Sequence, residues 1–284
     1  MSVATATLPV DQKKQVYALV QRADRLREQG RYAKSEPLFK QALALAEQLF
    51  GTDAPELMAT LNNHAVLYKY SGQFDEAERL YRRALALAVR HFGEAHAEIA
   101  TLYHNLGGLE HARGRFAVGE PLARRAVELR QQALGDEHPH VLADLAALAG
   151  LLDGQGKYAE SEPIYERALA FFEKQLEEGD QNAEYEIAVN LNNLAAVYTH
   201  TQRAAQAEPL YRRALALKEN LLGAAHPDLA VTLNNLGVLL KSLGRNAEAA
   251  EAYQRALAIF ETTLDANHPK LVACRKNYEG LMKR

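Results

Sequence analysis

The sequence predicts an all-α fold of stacked helix hairpins, and three periodic observations carry that prediction. An alanine recurs at Ala42, Ala84, Ala126, Ala168, Ala214 and Ala256, every step being 42 residues except one of 46, and each is followed by Leu or Val. Glycines recur as breaks at Gly30, Gly72, Gly114, Gly156 and Gly244, with Gln202 at the one exception. A second break carries Gly93, Gly135 and Gly223, with His-Pro pairs at His138-Pro139, His226-Pro227 and His268-Pro269. A period of this length marks copies of one supersecondary unit. A single hairpin cannot bury its apolar faces, whereas neighbours stacked in series can.

The repeats divide the chain at 11–56, 57–98, 99–140, 141–186, 187–228 and 229–270, with a partial repeat at 271–284 acting as a cap and a flexible start at 1–10. Each unit reads as two helices. In the fifth, Ile187 to Thr201 places Leu191, Leu194, Ala195 and Tyr198 on one face, and Ala207, Leu210, Tyr211, Ala214 and Leu217 form the face of a second helix. Glycine suits the left-handed turn that ends the first helix, and proline fits the opening turn of the next, where its missing N–H costs nothing. Small residues at Ala65, Gly107, Ala149, Ala195 and Gly237 let paired helices approach, and Tyr81, Tyr165, Tyr211 and Tyr253 fill the space beside them. Repeat four carries the extra residues, which places an irregular loop at Gly179 to Glu186 after a long helix running through Phe171 and Phe172. Both ends depart from the pattern: Arg22 stands where other repeats have Leu or His, and Arg275 occupies a core position in the last helix. Polar ends let a stack of repeats terminate.

Composition narrows the function. Of 284 residues 48% are hydrophobic, enough for a continuous core, and 33 basic against 36 acidic residues give a net charge of −3. That balance predicts no nucleic-acid partner and no membrane surface. With Cys274 as the single cysteine, no intrachain disulfide forms. The first residues lack a basic-apolar leader pattern and no apolar run reaches the roughly 20 residues of a membrane span, so a cytoplasmic location is expected.

The segments Leu191-Asn-Asn-Leu-Ala-Ala-Val-Tyr198, Ala207-Glu-Pro-Leu-Tyr-Arg-Arg-Ala-Leu215 and Gly223-Ala-Ala-His-Pro227 resemble tetratricopeptide repeats. They are similar to the 42-residue variety of kinesin light chains and many bacterial proteins, and the resemblance covers about residues 12 to 284. It implies a right-handed α-α superhelical solenoid of six hairpins plus a C-terminal capping helix, with first helices lining a concave groove. It also implies a protein-interaction scaffold or adaptor that binds an extended segment of a partner. Two other readings stay open: a regulatory or sensor subunit of a partner enzyme, and a small-molecule or metal binder, or enzyme, using the histidine-bearing groove centre.

By family position the groove would present Asn63, Asn105, Asn193, Asn235 and Asn277, with Ala147 breaking the series. A carboxamide offers donor and acceptor together and so matches a peptide group without reading its side chain. The same periodicity would also suit amides that tie neighbouring helices together. Residues that vary between repeats complete the predicted groove: Asn62 and Lys69, His104 and His111, Asn192 and His200, Asn234 and Lys241. Gly108, Ala146, Ala147, Gly150 and Gly154 leave room in the middle for a bulky apolar side chain, and Lys69, His111, His200 and Lys241 around them favour an acidic ligand. Alternatively these small residues close the gap by tighter helix stacking.

Other patterns are structural. His96, His138, His226 and His268 share one repeat position and read as caps. His104 and His111 share one helix face but sit roughly 10 Å apart at 1.5 Å rise per residue, too far for one zinc ion alone. The pairs Arg82-Arg83, Arg124-Arg125 and Arg212-Arg213 follow Glu78, Glu120 and Glu208 at ion-pair spacing, which predicts a self-neutralised outer face. With no phosphate-binding glycine loop, nucleophile elbow or zinc-protease motif, the sequence predicts no enzyme and no cofactor. Self-assembly through the solenoid ends remains possible.

Overall fold

The structure is a computed structural model and describes residues 10–94 and 96–283. The chain forms two compact units, one ending at Asn105 and the other beginning at Leu106. In the first lie α1 (Val10–Glu28), α2 (Tyr32–Phe50), α3 (Leu57–Ser71), α4 (Phe74–Phe92) and the start of α5 (Ala97–Ala112). In the second follow the rest of α5, then α6 (Phe116–Leu134), α7 (Pro139–Asp153), α8 (Tyr158–Glu177), α9 (Ala183–His200), α10 (Ala204–Leu222), α11 (Pro227–Ser242), α12 (Asn246–Thr263) and α13 (Pro269–Met282). Among the described residues there are thirteen helices and no strand. The expected flexible start lies outside the described residues apart from Val10, which opens α1.

The alanine series marks the helix-pair contacts. All six alanines are fully buried, and Tyr81, Tyr165, Tyr211 and Tyr253 are buried beside them at 0–1% exposure. Close approach is enforced at Gly237, where an added Cβ would lie 2.6 Å from the Tyr253 ring. The same holds at Gly119 on α6, where a Cβ would meet the Leu151 side chain at 2.6 Å. Apolar burial of this kind contributes about 25 cal/mol per Å² and holds each stack together.

The turns follow the sequence signals. Gln202 is the one non-glycine residue with positive φ (62°) among the described residues, and it stands where the other repeats use glycine. The histidines cap helices: Nδ1 of His138, His226 and His268 accepts the backbone N–H of His140, Asp228 and Lys270 at 3.1–3.2 Å. His96 does the same for Glu98 at 3.2 Å. Because these caps open each helix early, the repeat boundaries drawn at 99, 141, 229 and 271 fall two residues inside α5, α7, α11 and α13.

The insertion in repeat four corrects one expectation. The second half of the loop expected at Gly179 to Glu186 is helical, because α9 starts at Ala183. Compared with the α10–α11 step, α8 has 20 residues rather than 19, its loop 5 rather than 4, and α9 18 rather than 16, which together absorb the four extra residues. Ala183 and Ile187 are buried, so the added turn contributes to the core. At the ends, Arg22 is exposed and Arg275 pairs with Glu261 at 2.9 Å while the neighbouring Cys274 takes the buried place.

Candidate functional site

The asparagines of the first helices form hydrogen-bonded chains within each unit. In the first unit Asn105 Nδ2 donates to Asn62 Oδ1 at 2.8 Å, Asn62 Nδ2 to Asn63 Oδ1 at 3.2 Å, and Asn63 Nδ2 to Asp24 Oδ2 at 2.9 Å. In the second unit Asn277 donates to Asn234 (3.0 Å), Asn234 to Asn235 (3.4 Å), Asn235 to Asn192 (3.3 Å) and Asn192 to Asn193 (3.0 Å). The amides therefore do tie neighbouring first helices together. Each linking amide spends one N–H and one lone pair and keeps the second of each. Asn192 is buried, whereas Asn193, Asn234 and Asn235 are half-buried. Ala146 and Ala147 stand at the equivalent places of repeat four and supply no amide.

The ionisable groove residues lie on the C-terminal halves of first helices. Lys69 sits over the Tyr70 ring at 5.1 Å, and Tyr70 stacks on Tyr32. His200 is exposed and stacks on Tyr158 with ring centroids 5.4 Å apart. His111 meets Phe116 edge-on at 5.4 Å, and half-buried His104 lies on the same helix in the other unit. Lys241 reaches to the Gly280 backbone, where an added Cβ would stand 3.3 Å from its Nζ.

Packing takes part of the predicted central pocket. The half-buried Phe116 ring occupies the space where a Gly154 side chain would stand, so that glycine seats an aromatic ring. Ala146 is 7% exposed and belongs to the core. Gly108, Ala147 and Gly150 remain partly exposed, and a Cβ at Gly150 would stand 3.4 Å from His111 Nε2. Neighbouring Asp153 is spent internally: it accepts from the Ser161 hydroxyl and from Tyr165 Oη (2.8 Å). Burial pushes its carboxyl pKa up, against those two hydrogen bonds.

The outer helices neutralise themselves as their spacing predicts. Glu78–Arg82, Glu120–Arg124 and Glu208–Arg212 each pair at 2.7 Å. Lys157 and Gln155 also donate to Glu120 and, with Arg124, hold its carboxyl down to about 2.

One concavity was not foreseen. A cavity of about 300 Å³ opens between the N-terminal halves of α3 and α5, lined by buried Leu102, half-buried Met58, Asn62 and Asn63, and the exposed Glu56 and Glu98. The signal available in sequence was positional: Met58 lies one helical turn before Asn62. Among the described residues, no three His, Cys, Asp or Glu side chains are grouped to hold a metal ion. No described helix is long and apolar enough to cross a membrane.

Paired helices, a fixed repeat length and amide-lined first helices define a helical-repeat protein. The family model for the tetratricopeptide repeat matches residues 15–88, 98–174 and 186–278. The chain belongs to the tetratricopeptide repeat family. No curated protein matches the sequence significantly. Solved structures similar to it include BtubC (BKLC) from P. vanneervenii, 24% identical over 92% of this chain and 95% of that one, with a TM-score of 0.54. A putative kinesin light chain with nearly identical repeats from Podosopora anserina is 22% identical over 74% and 97%, with a TM-score of 0.52. NprR in complex with its cognate peptide NprX is 13% identical over 98% and 79%, with a TM-score of 0.70.

Proposed function

We propose that the protein is a non-catalytic interaction module whose first helices hold an extended segment of a partner protein. One observation carries this reading: the amide chains fix the orientation of half-buried carboxamides that still have a donor and an acceptor to give. Such groups are pre-organised for a peptide backbone, so binding does not have to order them. An extended peptide advances about 3.3 Å per residue and would meet successive amides every few residues. That NprR, a protein of similar fold, is seen with a peptide supports the same reading. In the second unit, His111, His200 and Lys241 favour acidic side chains on the ligand, and the open surface at Gly108, Ala147 and Gly150 favours a bulky apolar one.

Capture of partners from the native cell tests the reading. Asn193→Leu/Asn235→Leu is expected to weaken capture about tenfold or more, in line with loss of one or two backbone hydrogen bonds at about 1 kcal/mol each plus the groups left unpaired on the ligand. Unchanged capture by that variant, with helicity retained, would sink it. The apolar site has its own check. Gly150→Trp fills the space beside His111 and is expected to abolish binding without loss of helix content; unaltered affinity would remove Gly150 from the site.

A further inference from the structure

We propose that the cavity between α3 and α5 receives a basic side chain, arginine or lysine, of the partner segment. This inference rests on the interaction-module reading and specifies the ligand chemistry at one end of it. The cavity has the two surfaces that such a side chain needs. Met58 and buried Leu102 present apolar surface to an aliphatic stem, and the exposed carboxylates of Glu56 and Glu98 are there to meet its charged head. Long basic side chains bury their stems along apolar surface in this manner while the head stays at the edge.

Charge decides the sign of the ligand. Glu56 is the N-cap residue of α3 and Glu98 lies in the first turn of α5, so two positive helix ends also face this region. Each helix end is equivalent to roughly half a positive charge, about one in total, whereas the carboxylates supply two full negative charges. The balance stays negative and rejects an acidic side chain. Of the other charged groups on adjoining elements, Asp24 is held by Arg27 at 3.2 Å and by Asn63, and His96 uses its Nδ1 as a cap. The lining amides of Asn62 and Asn63 are oriented by their chain to Asp24, which leaves their second N–H groups for a backbone carbonyl of the bound segment.

The methionines provide a readout. The sequence has three, Met1, Met58 and Met282, and among the described residues Met58 is the one that lines the cavity. Protein labelled with 13C at the methionine methyls would be titrated with N-acetyl-arginine N-methylamide and, separately, with N-acetyl-glutamate N-methylamide. The arginine probe is expected to shift the Met58 methyl saturably and leave Met282 unmoved, and the glutamate probe to bind far more weakly. Glu56→Gln/Glu98→Gln, two exposed positions whose change leaves the core intact, is expected to weaken the arginine probe about five- to tenfold, the combined worth of two exposed ion pairs. A Met58 response that does not saturate, is equal for both probes, or is unchanged in the double variant overturns the proposal. So does partner capture that survives Glu56→Gln/Glu98→Gln undiminished while Asn193→Leu/Asn235→Leu abolishes it, a result that leaves the groove reading standing.

Discussion

His64→Leu is expected to remove most of an acid-induced loss of stability that the wild-type protein shows between about pH 6.5 and pH 4. His64 is 3% exposed, and neither ring nitrogen has a hydrogen-bond partner. Its ring lies between Phe39 and Tyr68, with centroids 5.5 and 4.5 Å away. Burial pushes its pKa down from 6.5 to about 4, with Glu36 and Glu76 opposing the shift and Lys40 and Arg79 adding to it. The unfolded chain therefore takes up a proton at a pH where the folded chain does not. The stability contribution is complete above pH 6.5, falls as the pH drops through the interval, and is constant below about 4. At 1.36 kcal/mol per unit, a shift of this size amounts to roughly 3 kcal/mol by pH 4. The equivalent positions in repeats three to six are Leu106, Leu148, Leu194 and Leu236, so leucine fits the site without a charge to desolvate. Urea unfolding of both proteins at pH 7.5, 5 and 4 measures the difference, because the remaining carboxylates titrate alike in each. Parallel pH profiles would show that the imidazole is not the source.

The fold was legible because its determinants repeat. Alanines, turn glycines and His-Pro caps each recur in step, and recurrence separates a structural requirement from chance even in one sequence. The reading failed where one repeat's geometry depended on its own contacts. The extra residues of repeat four look like a loop by composition, yet Ala183 and Ile187 pack into the core and draw the segment into helix. Gly154 looks like open space because glycine has no side chain, but the space belongs to Phe116, thirty-eight residues earlier in the chain. The asparagines were legible as a row. That the row is bonded to itself, Asn105 to Asn62 and Asn277 to Asn234, depends on helix-to-helix distances that periodicity does not contain. For the same reason the cavity at Met58 and Glu98 escaped notice: it belongs to the gap between two helices, whose residues lie some forty positions apart.

The close approach of α11 to α12 predicts the other large effect. Gly237→Val should destabilise the second unit by about 3 kcal/mol, the upper end of the usual cost of overpacking a core. The first added carbon would already stand 2.6 Å from the Tyr253 ring, 2.8 Å from a second ring atom and 3.0 Å from a third, and all are held at 0% exposure with no room to retreat. The remedy lies in the ring and not in its hydroxyl. Tyr253 Oη is buried without a partner, so Tyr253→Phe by itself should be neutral or slightly stabilising and should not rescue Gly237→Val. Tyr253→Leu removes Cε1 and Cζ, two of the three clashing atoms, the nearest included. Alone it should cost about 3 kcal/mol as a large-to-small core change, but with Gly237→Val the double variant should cost about 2 kcal/mol less than the sum of the single changes. Chemical denaturation of the four proteins closes the cycle. Additive effects would mean that Gly237 is required for something other than the approach of α11 to α12.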